Sequence, residues 1–171
     1  MPIQYRPGTA ADSHAAFLVF QVALLDLGRR KGFMAITGGE NPTNLENLWQ
    51  TRRPLYEHLA RSAERFWLAE EAGQVVGYAR SILRDGVLEL SEFFVVPTCQ
   101  TAGVGRELLA RAFPADLPAK HRVVVATTDT PALARYLKSG VYARFPTYTF
   151  YRPALRLPPP PGLDALPLSG S

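Results

Sequence analysis

The stretch Phe93-Phe94-Val95-Val96-Pro97-Thr98-Cys99-Gln100-Thr101-Ala102-Gly103-Val104-Gly105-Arg106-Glu107-Leu108-Leu109 decides the reading of this chain. An apolar run closes on Pro97, a loop of small residues follows, and a helical pattern starts at Val104. Strand, tight loop and helix in that order turn successive backbone N–H groups toward one point, beside the positive end of the helix macrodipole. Such a point is an anion site suited to phosphate or pyrophosphate. Gly103 and Gly105 remove Cβ atoms that would hold a phosphate away from the backbone, and Arg106 adds a full positive charge in the first turn. The spacing is not that of a dinucleotide-binding Gly-x-Gly-x-x-Gly, because Leu108 stands at the third glycine position. No Gly-Lys-Ser/Thr follows, so it is not a Walker loop either.

Working outward, residues 87–96 read as the third strand of an antiparallel meander whose earlier members are residues 66–70 and 74–83. Glu71-Ala72-Gly73 and Arg84-Asp85-Gly86 supply the hairpin turns. Upstream, residues 3–6 read as a short strand closed by Pro7-Gly8. Residues 10–27 carry Phe17, Leu18, Phe20, Leu24 and Leu25 at helical spacing, with Gly28 as the stop. Residues 29–43 read as irregular. Leu45, Leu48, Trp49, Arg52, Leu55, Tyr56 and Leu59 then mark a second long helix. Downstream, the helix from Val104 ends at Phe113 before Pro114, and residues 122–126 read as a strand buried on both faces. Thr130 and Pro131 open the last helix as N-cap and first helical position, and it stops near Gly140. Residues 142–152, interrupted by Pro146, read as one bent strand or a strand pair. The expected organisation is one domain over residues 1–152, followed by a Pro-rich tail over residues 153–171.

The length of 171 residues suits a single core, and 47% hydrophobic residues is too many for a disordered chain. No apolar run is expected to reach the roughly 20 residues that cross a bilayer. The first residues lack the basic-then-apolar layout of a signal peptide. One cysteine, Cys99, excludes an internal disulfide framework. His14, His58 and His121 show no metal-ligand spacing, so no metal is expected. A cytoplasmic protein without membrane contact is the resulting expectation. The net charge of +4 is scattered and not interleaved with aromatic residues, which argues against a nucleic-acid partner.

Pro97-x-x-Gln100-x-x-Gly103-x-Gly105-Arg106 resembles the pyrophosphate loop of the GNAT superfamily of N-acetyltransferases, whose usual form is Gln/Arg-x-x-Gly-x-Gly/Ala. The element order β-α-α-β-β-β-α-β-α-β-β resembles that family as well. The resemblance implies an α/β fold with a mixed, mostly antiparallel central sheet flanked by helices. It implies acetyl-CoA as co-substrate, its pyrophosphate held by Gln100, Thr101, Ala102, Gly103, Val104, Gly105 and Arg106. It also implies that the backbone of Phe94, Val95 and Val96 aligns the thioester, with an N–H near Val95 or Val96 polarising the carbonyl.

The implied reaction is direct acetyl transfer to a primary amine in a ternary complex. The departing thiolate needs an acid. Tyr136-Leu137-Lys138-Ser139-Gly140-Val141 is similar to the family's Tyr-x-Lys-x-Gly-Phe, with Val141 in place of the aromatic residue, and this implies Tyr136 as the donor. The same tyrosine also fits a core position on its helix. Asp129, where the family commonly carries Asn, reads as a helix cap. An alkylammonium must lose a proton before it attacks. Glu89 stands eleven residues before Gln100, where several family members place a glutamate that acts through water. Glu92 is the other candidate, on the opposite face of a regular strand unless a bulge intervenes. Either glutamate also reads as an ion-pair partner of Arg80 or Arg84.

Phe33, Met34 and Glu40, with the terminal hairpin, are where the resemblance places the acceptor, a small-molecule or peptide amine. The aromatic run 145–151 suits core or dimer surface, so a homodimer is one expected state. The competing reading is a non-catalytic acyl-CoA-binding or regulatory module on the same fold.

Overall fold

Two tight turns set the frame of the sheet. Ala72 and Gly73 (φ 49° and 77°), and Asp85 and Gly86 (φ 52° and 80°), each place two consecutive residues at positive φ. That backbone matches the right-handed twist of the strands it joins. The computed structural model describes residues 2–32, 42–100 and 103–147. In chain order the elements are β1 (Gln4–Pro7), a 3₁₀ turn (Ala10–Asp12), α1 (Ser13–Lys31), α2 (Pro42–Ser62), β2 (Arg65–Glu71), β3 (Gln74–Arg84) and β4 (Val87–Val95). A second 3₁₀ turn (Pro97–Cys99), α3 (Val104–Ala112), β5 (His121–Val124) and α4 (Thr130–Lys138) follow. The five strands lie in the order β1-β2-β3-β4-β5. Pairing is antiparallel through β4, and β5 runs parallel to it. This is the expected α/β arrangement of a mixed, mostly antiparallel sheet with flanking helices.

Helices α1 and α2 cover one face, where Ala16, Phe17, Val19, Trp49, Tyr56, Phe66, Leu68 and Tyr78 form a buried cluster. Helix α3 covers the other with Val104, Leu108 and Ala112 against Ala69, Val76, Ala79 and Val95. Arg6 fixes the start of the chain. Its guanidinium donates to Asp12 Oδ1 at 2.7 Å and to Glu70 Oε1 at 2.7 Å, tying β1 to the first 3₁₀ turn and to β2.

Five expectations need correction. Helix α1 runs through Gly28 and ends at Gly32, whose φ of 76° forms the left-handed cap while its N–H bonds the Gly28 carbonyl. Gly28 is instead a buried helix residue, and residues 29–31 are helical rather than irregular. The span Ala10–Lys31 is long and apolar enough to cross a membrane, contrary to the sequence reading. In the fold one face of it is core, with Ala16 and Phe17 fully buried under α2 and the sheet, while Leu18 and Val22 are exposed. Strand β5 is not buried on both faces. His121 and Val123 are exposed and Arg122 and Val124 half-buried, because only one face meets packed side chains. The N-cap of α4 is Asp129 rather than Thr130. Finally, residues 141–147 contain no strand, and the remainder of the expected terminal hairpin lies outside the described residues.

Candidate active site

Strand β4 has two halves with different neighbours. Val87 through Leu90 pair with β5 as far as Val124, while the β3 side stays paired to Val95. Among the described residues, the β5 side of β4 has no strand partner beyond Leu90, so the sheet opens there. A bulge at Ser91 marks the boundary: Arg80 faces Glu92 and Ser81 faces Leu90, leaving Ser91 as the extra residue. Its Oγ donates to the Arg80 carbonyl at 3.1 Å.

The bulge resets the alternation of side chains. Leu88 and Leu90 pack toward α3, as do Phe93 and Val95, whereas Phe94 joins the cluster under α1 and α2. Glu89 and Glu92 therefore share the α1/α2 face despite their odd spacing. The same ladder fixes the backbone. Val96 N–H donates to the Val76 carbonyl at 2.9 Å, so it is committed to β3. Alternation in an antiparallel pair then turns the N–H groups of Phe93 and Val95 toward the open side. Of the three residues expected to align a thioester, only Val95 lines the opening. The Phe94 ring packs edge-on against Phe20, with ring centroids 4.9 Å apart, on the opposite face.

A groove of about 590 Å³ starts at this opening, lined by Phe93, Val95, Gln100, Gly103, Gly105, Arg106, Asp129, Pro131, Ala132 and Arg135. Gln100 Nε2 donates to the Val95 carbonyl at 3.1 Å, and Arg135 Nη2 donates to the Gln100 carbonyl at 3.2 Å. The loop is thereby held both to β4 and to α4. The first two helical N–H donors of α3, on Arg106 and Glu107, both end on the Gly103 carbonyl. The N–H groups of Val104 and Gly105 lie ahead of that ladder, at the positive end of the helix.

The two glycines have different roles. Gly103 has φ +80° and open space where a Cβ would stand, so a side chain there would project into the groove. At Gly105 a Cβ would stand 3.1 Å from Phe93 Cζ and 3.3 Å from Arg135 Cζ; this glycine permits close packing of α3. Thr101 and Ala102 lie outside the described residues, as do Phe33, Met34 and Glu40. A second groove, of about 670 Å³ between α3 and α4, shares Arg106, Pro131 and Arg135 with the first. Arg122 and Lys138 add basic groups beside its apolar floor of Leu109, Phe113 and Ala134.

The titratable candidates sit in contrasting surroundings. Glu92 is half-buried, with 13% side-chain exposure, and forms an ion pair with Arg80, Nη2 to Oε2 at 2.5 Å. Its Oε1 accepts from the Tyr78 hydroxyl at 3.2 Å. Arg80 is fully buried, donates to the Tyr56 carbonyl at 2.9 Å and lies 4.7 Å from the Phe66 ring centroid. Burial pushes the Glu92 carboxyl up, while Arg80 and the Tyr78 hydroxyl oppose that rise. Glu89 is solvent-exposed on the same face. Tyr136 is half-buried, its ring T-shaped to Phe93 at a 6.2 Å centroid distance, and it does not line the groove itself. Burial, and secondarily the Asp129 charge, push its hydroxyl up to about 12.

Sequence reasoning missed Phe93, Asp129, Pro131, Ala132 and Arg135 as groove residues. Pro131, Ala132 and Arg135 lie one and four apart on α4, a spacing that places them on one helix face.

Known proteins share this architecture. Residues 29–141 match the acetyltransferase (GNAT) family. An aminoglycoside acetyltransferase from an uncultured soil metagenomic sample superposes with a TM-score of 0.56 at 18% identity, over 89% of this chain and 99% of that one. Glucosamine-6-phosphate N-acetyltransferase from Arabidopsis thaliana gives 0.54 at 12% identity, over 88% and 99%. A GNAT family acetyltransferase from Brucella melitensis, solved with acetyl-CoA, gives 0.52 at 19% identity, over 83% and 84%. No curated protein matches the chain in sequence. With the family pattern covering the opened sheet, the glycine loop and α4, the chain belongs to the GNAT acetyltransferase family.

Proposed function

We propose that the protein transfers the acetyl group of acetyl-CoA to a primary amine, directly and in a ternary complex, with residues 1–152 as the catalytic domain. The observation that carries this reading is a single groove lined both by Phe93 and Val95 of the opened strand and by Gly103, Gly105 and Arg106 at the start of α3. The residues fit the co-substrate. The N–H groups of Val104 and Gly105, with Arg106, would hold the pyrophosphate. The basic groove between α3 and α4 offers further room for the nucleotide end. The Phe93 and Val95 N–H groups would align the pantetheine arm, and the thioester supplies an activated acetyl group once bound. A donor from that pair is placed to stabilise the carbonyl oxygen as it gains charge.

In this reading Tyr136 supplies the proton to the departing thiolate, and its raised pKa keeps it protonated throughout the neutral range. Glu89 takes the amine proton through water. Glu92 is the less suitable proton acceptor, because protonating it would leave fully buried Arg80 without its counter-charge. Exposed Glu89 carries no such cost.

Calorimetric titration with acetyl-CoA and CoA tests the first step, and thiol release across a panel of amines tests the second. One-site binding that Gly103→Asp abolishes, with amine-dependent thiol release, is the expected result. Binding without turnover for any amine would favour the acyl-CoA-sensing module. No binding by the wild-type protein would overturn the transferase reading.

A further inference from the structure

Asp129 is the one carboxylate among the described residues lining the groove proposed for coenzyme A, and beside the cations Arg106 and Arg135 its own charge is the unfavourable one for a polyanion. Its two oxygens are both engaged. Oδ2 accepts from the Ala132 N–H at 3.4 Å and caps α4, while Oδ1 accepts from Arg30 Nη1 at 2.8 Å. Arg30 comes from the last turn of α1, on the other side of the opened sheet and 99 residues away in sequence. Its neighbour Lys31 donates to the Thr128 carbonyl at 3.1 Å. The end of α1 thus reaches across to the β5–α4 connection at two adjacent points. Arg30 is itself held by Asp26, one helical turn back at 2.8 Å, so the guanidinium is oriented before it meets Asp129.

We propose that Arg30 is a positioning residue for the co-substrate: by neutralising Asp129 it turns a repulsive wall of the groove into one that admits the CoA diphosphate. This rests on the acetyl-CoA reading of the groove. Arg30 does not line the groove, so its effect passes through Asp129. The carboxylate caps α4, and the arginine offsets its charge.

The test is a double-mutant cycle read by CoA affinity in calorimetry, with the unfolding midpoint of each ligand-free variant as a control. Arg30→Ala should weaken CoA binding about tenfold, since it leaves Asp129 unpaired beside the phosphates. Asp129→Asn keeps the cap and removes the carboxylate charge from the groove wall while the positive charge of Arg30 remains behind it, so binding should tighten about threefold. The double variant should return to near the wild-type value, and Arg30→Lys should retain most of the affinity. Raising the salt concentration should shrink the Arg30→Ala defect.

Wild-type affinity in Arg30→Ala overturns the proposal and leaves the transferase reading standing. A double variant as weak as Arg30→Ala overturns it too, because Arg30 would then act by direct contact or through the fold. Weaker binding by Asp129→Asn alone would mean that the carboxylate itself engages the ligand, which also overturns it. A wild-type protein that binds no CoA removes both readings together.

Discussion

Helix α1 and the segment that leads into α4 meet through two polar contacts, yet they belong to halves of the molecule held together by different physics. In the half built from β1 to β4 with α1 and α2, Phe17, Leu68, Tyr78 and Arg80 have no solvent exposure. Its rings interlock, with Phe17 and Tyr56 edge-on at 5.6 Å between centroids. In the half built from β5 and α4, the helix contains no buried residue, Leu137 is 58% exposed and Val125 70%. Apart from Val124 and Tyr136, which pack against the core, its ties are polar: Arg30 to Asp129, Lys31 to Thr128 and Arg135 to Gln100. Apolar burial sets the global stability of a domain, whereas segments with few buried contacts open locally at lower free energy. The first half is a scaffold. The second is a wall of the groove whose order a ligand can complete.

The largest expected effect breaks the scaffold. Arg80→Leu leaves Glu92 buried without its cation, and a loss of about 3–5 kcal/mol is expected in urea unfolding. Replacing both partners with apolar residues, as Arg80→Met with Glu92→Leu, should cost much less, since no charge is then stranded. A single-variant loss below about 1 kcal/mol would mean that water reaches the pair and that this half is not dry.

The groove half should respond to ligand instead. At a CoA concentration 100 times its Kd, wild-type stability should rise by about 2.7 kcal/mol. Gly103→Asp should lose that increment, because the new carboxylate projects into open groove space, while its ligand-free midpoint drops only by the strain of a side chain at φ +80°. An equal CoA-induced rise in both proteins would separate the groove from the cofactor.

Chemistry at the boundary between the halves gives the next effect. Tyr136→Phe should lower turnover about tenfold or more and leave CoA affinity within about twofold. With the hydroxyl at about 12, wild-type turnover should show no falling limb from Tyr136 up to pH 10. Glu89→Gln should lower the rate mainly below the pKa of the amine, and the defect should fade as pH rises and the amine deprotonates by itself. Turnover of Tyr136→Phe within about twofold would make the tyrosine a packing residue beside Phe93.

The same division governs what the amino-acid sequence made legible. Local signals in the scaffold carried their structure with them: Asp85-Gly86 became a turn with both φ values positive, and the strands it joins lie where their patterns put them. The glycine loop was legible for the same reason, since strand, loop and helix are contiguous in the chain. Gly28 misled because a glycine marks a helix end only when the backbone needs positive φ, and Gly32 met that need four residues later. The burial of β5 misled because an apolar run shows which residues prefer a core but not whether a second layer is present to cover them. The side on which Glu89 and Glu92 stand depended on the bulge at Ser91, a register relation with β3 that no local pattern encodes. Asp129 was legible as a cap from its neighbours, but its arginine partner lies 99 residues away and is brought there only by the packing of α1.

The smallest expected effect sharpens the comparison at the far edge of the scaffold. Asp12 is held below the usual carboxylate range, first by its hydrogen bonds from Arg6 and then by the Thr9 N–H and hydroxyl, against an opposing push from burial. A folded-state value below the unfolded one means that the unfolded chain binds the proton more readily. The contribution of Asp12 is therefore complete above its unfolded pKa near 3.9 and is lost as pH falls through the lower folded value. Asp12→Asn should cost about 1 kcal/mol at pH 7, the order expected for a capping group in a partly exposed ion pair. The gap between variant and wild type should narrow steadily below pH 4. Because this pair belongs to the scaffold, CoA affinity should stay within about twofold of wild type. A change in CoA affinity larger than the change in stability would show that the two halves are coupled through β1 and β2 rather than only where α1 meets α4.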